Sequence, residues 1–174
     1  MSDWFAIPVR LGCEDEALDL LRQDAVSSGV EELFVPRAEV LTRDFDQGLD
    51  PLVPGFVVAV APSAREIRRV LRRTRGMADI APGGFMPLCS DEACLLDQLA
   101  RPGGRVAAFS EGRQKDGRLV VERGALRGRE SLVRAVSQRK KRAYLSLTLA
   151  GRPVEAQVGL RVTRGKAGSD GSAS

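Results

Sequence analysis

Four consecutive basic residues, Arg139 to Arg142, give the strongest chemical signal in the sequence, and the only tyrosine, Tyr144, follows two positions later. Guanidinium and ammonium groups neutralise phosphate oxygens, and an aromatic ring beside them can stack on an unpaired base. We therefore interpret this segment as a contact for an RNA groove or hairpin loop. The alternative is a charged turn that only keeps the protein soluble. The full set of candidate residues is Arg123, Arg127, Arg129, Arg139, Lys140, Lys141, Arg142, Tyr144 and Arg152.

Charge is distributed unevenly along the 174 residues. Residues 1–100 contain 10 lysines and arginines against 17 acidic residues, whereas residues 101–174 contain 17 against 6. A basic half of this kind favours a polyanionic partner, because clustered like charges raise the local concentration of counter-ions. This bias argues against the solubility alternative.

Several classes of activity are disfavoured by what the sequence lacks. It contains no histidine, the commonest general base and metal ligand, and its three cysteines, Cys13, Cys89 and Cys94, have no paired CxxC spacing. The longest apolar run, 56–61, is too short to cross a membrane, and the first residues lack the pattern of a signal peptide. We therefore expect a cytoplasmic protein that is not an enzyme, holds no metal or cofactor, and makes no contact with a membrane.

A strand follows the basic residues. Residues 143–149 have alanine or leucine at every odd position and a polar or aromatic residue between them, which is the period of a half-buried strand. Short turns on either side, including the basic one at 138–141, have the spacing of antiparallel hairpins. The pattern predicts a small β-barrel over 117–164, followed by a disordered tail at 165–174 that is rich in glycine and serine.

The first half of the chain predicts an α+β domain over residues 1–100. Extended segments predict strands at 4–11, at 33–45 with a break at Pro36, at 55–61 in a hairpin with the preceding strand, and at 77–80, with turn chemistry at 46–51. Amphipathic segments predict helices at 14–27, from Ser63, and from Ser90. The order β-α-β-β-α-β-α is a split βαβ arrangement with one appended helix. Residues 101–116 are weakly patterned and predict a linker between the two domains.

The helix that begins at Ser63 carries a second group of basic residues. Its apolar positions, such as Ile67 and Val70, recur on one stripe, so the arginines between them must lie on the other side. Such a face can neutralise DNA phosphates without reading bases, and the alternative is a helix face that is merely solvated. The candidate residues are Arg65, Arg68, Arg69 and Arg72.

Two sets of motifs in the same order resemble the NusG family of transcription elongation factors over nearly the whole chain. The first half contains Trp4-Phe5-Ala6-Ile7, Val35-Pro36 with Glu39-Val40, Val53-Pro54-Gly55-Phe56-Val57, Gly76-Met77 with Ile80, and Pro87-Leu88. The second half contains a segment similar to a KOW motif, Val120 to Gly124 with Leu126, Gly128 and Val133. The basic barrel is most similar to that of the specialised LoaP-type paralogues. The resemblance implies an N-terminal split βαβ (NGN, RNP-like) domain followed by a small SH3-like β-barrel (KOW) domain.

The resemblance also implies partners. A family member binds the clamp region of RNA polymerase through an apolar depression of its first domain, acts as a monomer, and suppresses pausing and termination. By motif, the polymerase-binding residues would be Trp4, Ile7, Val53, Pro54, Phe56 and Val58. The alternative for each of them is a place in the ordinary core of the sheet. Nascent RNA, for example an RNA hairpin, would bind the barrel, and upstream DNA would bind the arginine-rich helix.

Two other functions are compatible with the sequence. A general elongation factor would use the barrel to bind a ribosomal protein or a termination factor, and it predicts a barrel with little net charge. A ribosome-associated RNA-binding protein would use the barrel structurally and would not bind polymerase.

Overall fold

The computed structural model describes residues 2–164, which form four α-helices and twelve strands. The N-terminal half contains β1 (Asp3–Pro8), α1 (Glu14–Ser28), β2 (Glu32–Phe34), β3 (Arg37–Leu41), β4 (Gln47–Pro51), β5 (Phe56–Ala61), α2 (Ala64–Arg73), α3 (Met77–Ile80), β6 (Met86–Pro87) and α4 (Ser90–Leu99). The C-terminal half contains β7 (Val106–Ala107), β8 (Ser110–Lys115), β9 (Arg118–Arg123), a 3-10 turn at Glu130–Leu132, β10 (Val133–Ser137), β11 (Arg142–Leu149) and β12 (Arg152–Arg164). Within this described part, no helix is both long and apolar enough to cross a membrane. The tail predicted at 165–174 lies outside the described residues.

A four-stranded sheet forms the frame of the N-terminal half. Its strands are antiparallel in the order β2-β5-β1-β6, and α1 and α2 pack against one of its faces. Because α1 connects β1 to β2 and α2 follows β5 on the way to β6, the connections are those of the predicted split βαβ arrangement. The apolar side chains between sheet and helices include Ile7, Leu21, Val57 and Ile67, each 0% exposed.

Local sequence signals account for the helix boundaries. Ser63 begins α2, since its hydroxyl oxygen accepts from the Arg65 amide at 3.2 Å and its O–H donates to Glu66 at 2.5 Å. Gly29 ends α1 in the left-handed conformation at φ 85°, as the sequence predicts. For α4 the cap is Cys89 rather than the predicted Ser90, because the Glu92 carboxylate accepts from the Cys89 amide at 2.9 Å.

A second, three-stranded sheet in the order β4-β3-β7 corrects two predictions. Residues 46–51, predicted as a turn, contain β4, which pairs with β3 from Leu41↔Gln47 to Arg37↔Pro51. The segment 33–45 is predicted to pair with β5 as a whole, but only its first part, β2, does so. The break at Pro36 sends the rest of the segment, as β3, into this other sheet. Backbone pairing with β3 outweighs the local preference of residues 46–51 for a turn, and their composition gives no sign of this pairing.

The strand predicted at 77–80 is wrong, since these residues form the single helical turn α3. Its place at the edge of the first sheet is taken by β6, which pairs with β1 at Phe5↔Pro87 and Ala6↔Met86. A two-residue strand that contains a proline has no alternating pattern, so it leaves no sequence signal of its own.

The C-terminal half is a five-stranded sheet in the order β10-β11-β12-β8-β9. The predicted alternation of β11 is confirmed, because Ala143, Leu145, Leu147 and Leu149 are buried while the residues between them are exposed or half-buried. This sheet begins at Ser110 rather than at residue 117, since β8 pairs in parallel with β12.

Residues 101–116, predicted as a linker, do not form an unstructured tether. They contain β8 and also β7, which pairs in parallel with β3 at Arg37↔Val106 and Ala38↔Ala107. The prediction failed because β7 is two residues long and its partner lies about 70 positions away, beyond the reach of any local pattern.

Arg105 joins the two halves at this point. Its guanidinium group donates to both Glu32 carboxylate oxygens at 2.7 Å and to Asp97 at 2.6 Å. The guanidinium Cζ atom lies 4.4 Å from the Phe34 ring centroid and 5.2 Å from the Trp4 ring centroid. The hydrogen bonds that Arg105 donates to Glu32 and to Asp97 raise the pKa of Arg105 above its ordinary value, although burial acts in the opposite direction. A bidentate, ring-stacked guanidinium of this kind fixes β1, β2 and α4 relative to one another.

We expect Arg105→Met to lower the free energy of unfolding by about 2–3 kcal/mol, because two carboxylates lose their partner. The value lies at the low end for a buried ion pair, since both carboxylates keep partial access to solvent. Urea unfolding followed by circular dichroism measures it. Arg105→Lys should recover less than half of the loss, because an ammonium group cannot bind Glu32 through two parallel bonds. The exposed Arg10→Met is the matched control, and an equal loss in that variant would contradict the role of Arg105.

Candidate functional site

The N-terminal sheet has a second face, opposite α1 and α2. Along β5, Phe56 and Val58 point to this face while Val57 and Ala59 point to the helices, as the alternation predicts. We call this second surface the apolar face; it consists of Trp4, Phe34, Phe56, Val58 and Val60. The Trp4 and Phe34 rings meet edge to face with centroids 5.7 Å apart.

The structure brings five of the six predicted polymerase-binding residues to one side of the sheet. Trp4, Phe56 and Val58 belong to the apolar face, and Val53 joins the same apolar cluster from the loop before β5. Pro54, the next residue of that loop, is half-buried beside Phe56. Ile7 is separate, because it is fully buried on the opposite face against the helices.

The C-terminal sheet covers much of the apolar face. Val58, Val60, Leu96 and Leu99 of the first half form one buried cluster with side chains of the second half, such as Leu145. At its outer edge, Phe56, Pro54 and Leu11 line a groove of about 420 Å³ against 154–157 of β12. The face in this arrangement is therefore largely an internal surface with an accessible margin beside Phe56.

Polar contacts hold the two halves together at what we call the junction, which consists of Asp50, Leu52, Arg142, Gln157 and Gly159. The backbone N–H of Gln157 donates to the Leu52 carbonyl at 2.9 Å. The Arg142 guanidinium group forms an ion pair with the Asp50 carboxylate at 2.9 Å. Gly159 lies so close to the Glu39 carbonyl that a Cβ there would overlap it. The junction is thus a close backbone approach that only glycine permits at this position.

The junction engages Arg142, one residue of the predicted RNA contact, and Tyr144 lies two positions further along the same strand. Arg142 donates to both Asp50 and Gln157, and only 20% of its side chain is exposed. Tyr144 lies on the same strand face as Arg142, is half-buried, and stands opposite Gln157 in the register of β11 and β12. The other basic residues of 139–142 form the β10–β11 turn, which we call the basic turn: Arg139, Lys140 and Lys141. Arg139 and Lys140 are exposed, whereas Lys141 is half-buried and has a left-handed backbone conformation at φ 54°.

The other predicted RNA-binding residues do not lie on that turn. Arg152 is at the opposite end of β11, which is about 20–25 Å from the basic turn at 3.3 Å per residue. Arg123, Arg127 and Arg129 line a separate pocket, together with Arg101. Sequence reasoning missed Arg101 and Arg105 because both lie in the predicted linker, where no periodic pattern marks them.

The basic side of α2 is exposed as predicted. Five arginines line a shallow depression of about 340 Å³ along this helix: Arg65, Arg68, Arg69, Arg72 and Arg73. Arg68 also lies 5.7 Å from the centroid of the Phe85 ring, which restrains its guanidinium group. Within residues 2–164, no cluster of three cysteine or acidic side chains has the arrangement of a metal site.

Comparison with known proteins adds one finding. No protein-family model matches the sequence, and no curated protein matches it either. The fold is similar to that of NusG. A structure described as "Domain interaction in Thermotoga maritima NusG" superposes with a TM-score of 0.50 over 91% of this chain and 94% of that chain, at 11% sequence identity. At this identity the likeness concerns the fold, and it confirms the prediction of a NusG-like fold from the motifs.

Glu92 links the start of α4 to the C-terminal sheet. Its carboxylate accepts from the Cys89 amide at 2.9 Å and from the Gly151 amide in the β11–β12 turn at 3.2 Å. Burial alone would raise the pKa of Glu92, but these backbone hydrogen bonds outweigh it and hold the pKa below its ordinary value of 4.5. The ionised form therefore stabilises the contact between the halves above pH 4.5, and this contribution is lost as the pH falls through the lower, folded-state pKa.

We expect Glu92→Gln to lower the free energy of unfolding by about 1 kcal/mol at pH 7, since a charge-assisted bond becomes a neutral one. At pH 3 the difference between the variant and the unsubstituted protein should become smaller. Urea unfolding at the two pH values measures it, with Glu155→Gln on the exposed side of β12 as the control. The same difference at both pH values would rule out the carboxylate as the cause.

Proposed function

We propose that this protein is a transcription elongation factor of the NusG type that acts in the cytoplasm as a monomer. It binds the clamp region of RNA polymerase through its N-terminal half, suppresses pausing and termination, and catalyses no reaction. The observation that carries the proposal is the likeness to NusG over 91% of the chain, which includes both halves. The family motifs of the sequence support the same assignment. The N-terminal half would be the NGN domain and the C-terminal sheet the KOW domain.

The apolar face is the proposed polymerase contact. It contains the rings of Trp4, Phe34 and Phe56, and aromatic residues are enriched in protein interfaces. Because the C-terminal sheet covers this face, polymerase must compete with it, and only the fraction of molecules with an opened junction can bind fully. The groove beside Phe56 offers the first point of contact.

The basic turn is the proposed RNA contact. Arg139 and Lys140 are exposed and have no ion pair among the described residues, so both charges are available to phosphates. A turn of this charge favours a specialised, LoaP-type antitermination factor, which a nascent RNA element would recruit.

The arginine side of α2 is positioned on another surface and would bind the backbone of upstream DNA.

Leu11→Ser with Phe56→Ser should weaken binding to purified RNA polymerase at least tenfold, because both side chains line the open margin of the apolar face. Biolayer interferometry with immobilised core polymerase measures the affinity, and an elongation assay measures pausing. Val26→Ser, which alters an apolar side chain that is 90% exposed on α1, is the matched control.

A second pair of variants tests the competition in the same assay. Gly159→Ala forces the junction apart and should increase polymerase binding, whereas Gly83→Ala, with open space around the new methyl group, should not. Absence of polymerase binding in all variants, together with co-sedimentation with ribosomal subunits, would favour the ribosome-associated alternative instead.

Arg139→Ala with Lys140→Ala should weaken RNA binding and reduce the slope of log K against log salt by about 0.7 per lost phosphate contact. Electrophoretic mobility shifts at several salt concentrations, with RNA selected from bound transcripts, measure both quantities. Arg152→Ala removes one positive charge at the start of β12, far from the basic turn, and should have little effect.

An unchanged salt slope in the double variant would remove the RNA role of the basic turn. Binding of the C-terminal half to a ribosomal protein or a termination factor, without RNA affinity, would identify a general elongation factor.

A further inference from the structure

The strongest unassigned feature is a pocket of about 450 Å³ between α4 and the turn after β9. Four arginines surround it, and we call it the arginine pocket: Arg101, Arg123, Arg127 and Arg129. Its volume is in the range of small-molecule sites, which begins at about 300 Å³. We propose that the arginine pocket binds a nucleoside polyphosphate through its phosphate groups. This inference does not rest on the proposed function.

One wall of the pocket is the turn 124–128, and it is rigid. Gly124 has φ 99° and approaches the Phe109 carbonyl so closely that no larger residue fits. The Leu126 amide donates to the buried Ser110 hydroxyl at 3.0 Å, and the Leu126 side chain is fully buried. Arg127 is therefore presented from a fixed backbone, which reduces the entropy lost when it binds a ligand.

The opposite wall is fixed by the Arg105 cluster. The Arg105 amide donates to the Arg101 carbonyl at 2.9 Å, and Arg101 also bridges to Val106. The Arg105 guanidinium group further donates to the Ala100 carbonyl at 3.2 Å at the end of α4. This bond offsets the negative end of the helix dipole, which would otherwise repel an anion here.

Charge in the pocket is only partly neutralised. Arg123 pairs with Glu111 at 2.9 Å, and Arg129 donates to the neutral Gln98 at 2.6 Å. Among the described residues, Arg101 and Arg127 form no ion pair. Among residues 2–164, no carboxylate is part of the lining, so the site favours a ligand with several negative charges close together.

The floor and shape of the pocket select the rest of the ligand. Leu99, Val106, Ala108 and Ala125 provide an apolar surface beside the guanidinium groups, which suits the face of a base. A polynucleotide distributes its charge along a chain, whereas this pocket concentrates four guanidinium groups around one cavity. A nucleoside diphosphate or triphosphate combines both features, and the 5′-triphosphate end of an RNA has the same chemistry.

Isothermal titration with ATP, GTP, inorganic triphosphate and AMP tests the proposal on the full chain, with and without Mg²⁺. We expect saturable 1:1 binding of the triphosphates and at least tenfold weaker binding of AMP. Arg101→Ala with Arg127→Ala should raise the Kd at least tenfold, while the thermal unfolding midpoint without ligand stays within a few degrees. The matched control, Arg72→Ala with Arg73→Ala, removes the same charge from α2 and should change the Kd less than twofold.

Competition with RNA then distinguishes the source of the phosphates. A 5′-triphosphate RNA that displaces ATP better than the same RNA with a 5′-hydroxyl identifies the RNA end as a ligand of the same pocket. Displacement by ATP and GTP alone identifies free nucleotides. Equal displacement by both RNAs, equal effects of the two double variants, or no saturable binding would overturn the proposal.

Discussion

The fold depends on a single buried guanidinium group, that of Arg105. It is held between two carboxylates and two aromatic rings, and its backbone adopts a left-handed conformation at φ 52°. These four groups, together with the Ala100 carbonyl that also accepts from the guanidinium group, offset the unfavourable backbone geometry. Its effect is to direct the chain from the end of α4 into β7, which pairs with β3. The second half of the protein is thereby brought against the first.

A shared core is the consequence of that placement. The C-terminal sheet is too small to bury much apolar surface alone, and domains of this size are marginally stable. Here its leucines join a cluster that includes Val58 and Leu96 of the N-terminal half. The apolar face is therefore both a stabilising surface and the proposed partner surface. Any partner that binds it must replace the buried area that the C-terminal sheet supplies, together with the bonds of the junction.

Features that depend on near neighbours in the sequence could be predicted, and those that depend on distant ones could not. The alternation of β11 and the Ser63 cap of α2 are properties of a few adjacent residues, so the sequence contained the whole signal. By contrast, β7 is defined only by its pairing with β3. Arg142 is held at the junction by an ion pair with Asp50, which lies 92 positions earlier in the sequence. The family motifs supplied the fold where local patterns ended, but not the covering of the apolar face.

Basic residues of the C-terminal half illustrate why composition does not define a site. Its excess of lysine and arginine is a sum over side chains in different environments. Arg105 is neutralised in the core, Arg142 is neutralised at the junction, Arg139 faces solvent on a turn, and Arg127 faces a pocket. The same charge therefore contributes to stability in the first two cases and is available to a ligand in the last two. Which role each residue has follows from the distance to the nearest carboxylate and from the rigidity of the backbone that presents it. The selectivity proposed for a polyanion therefore rests on the pocket geometry and not on the net charge.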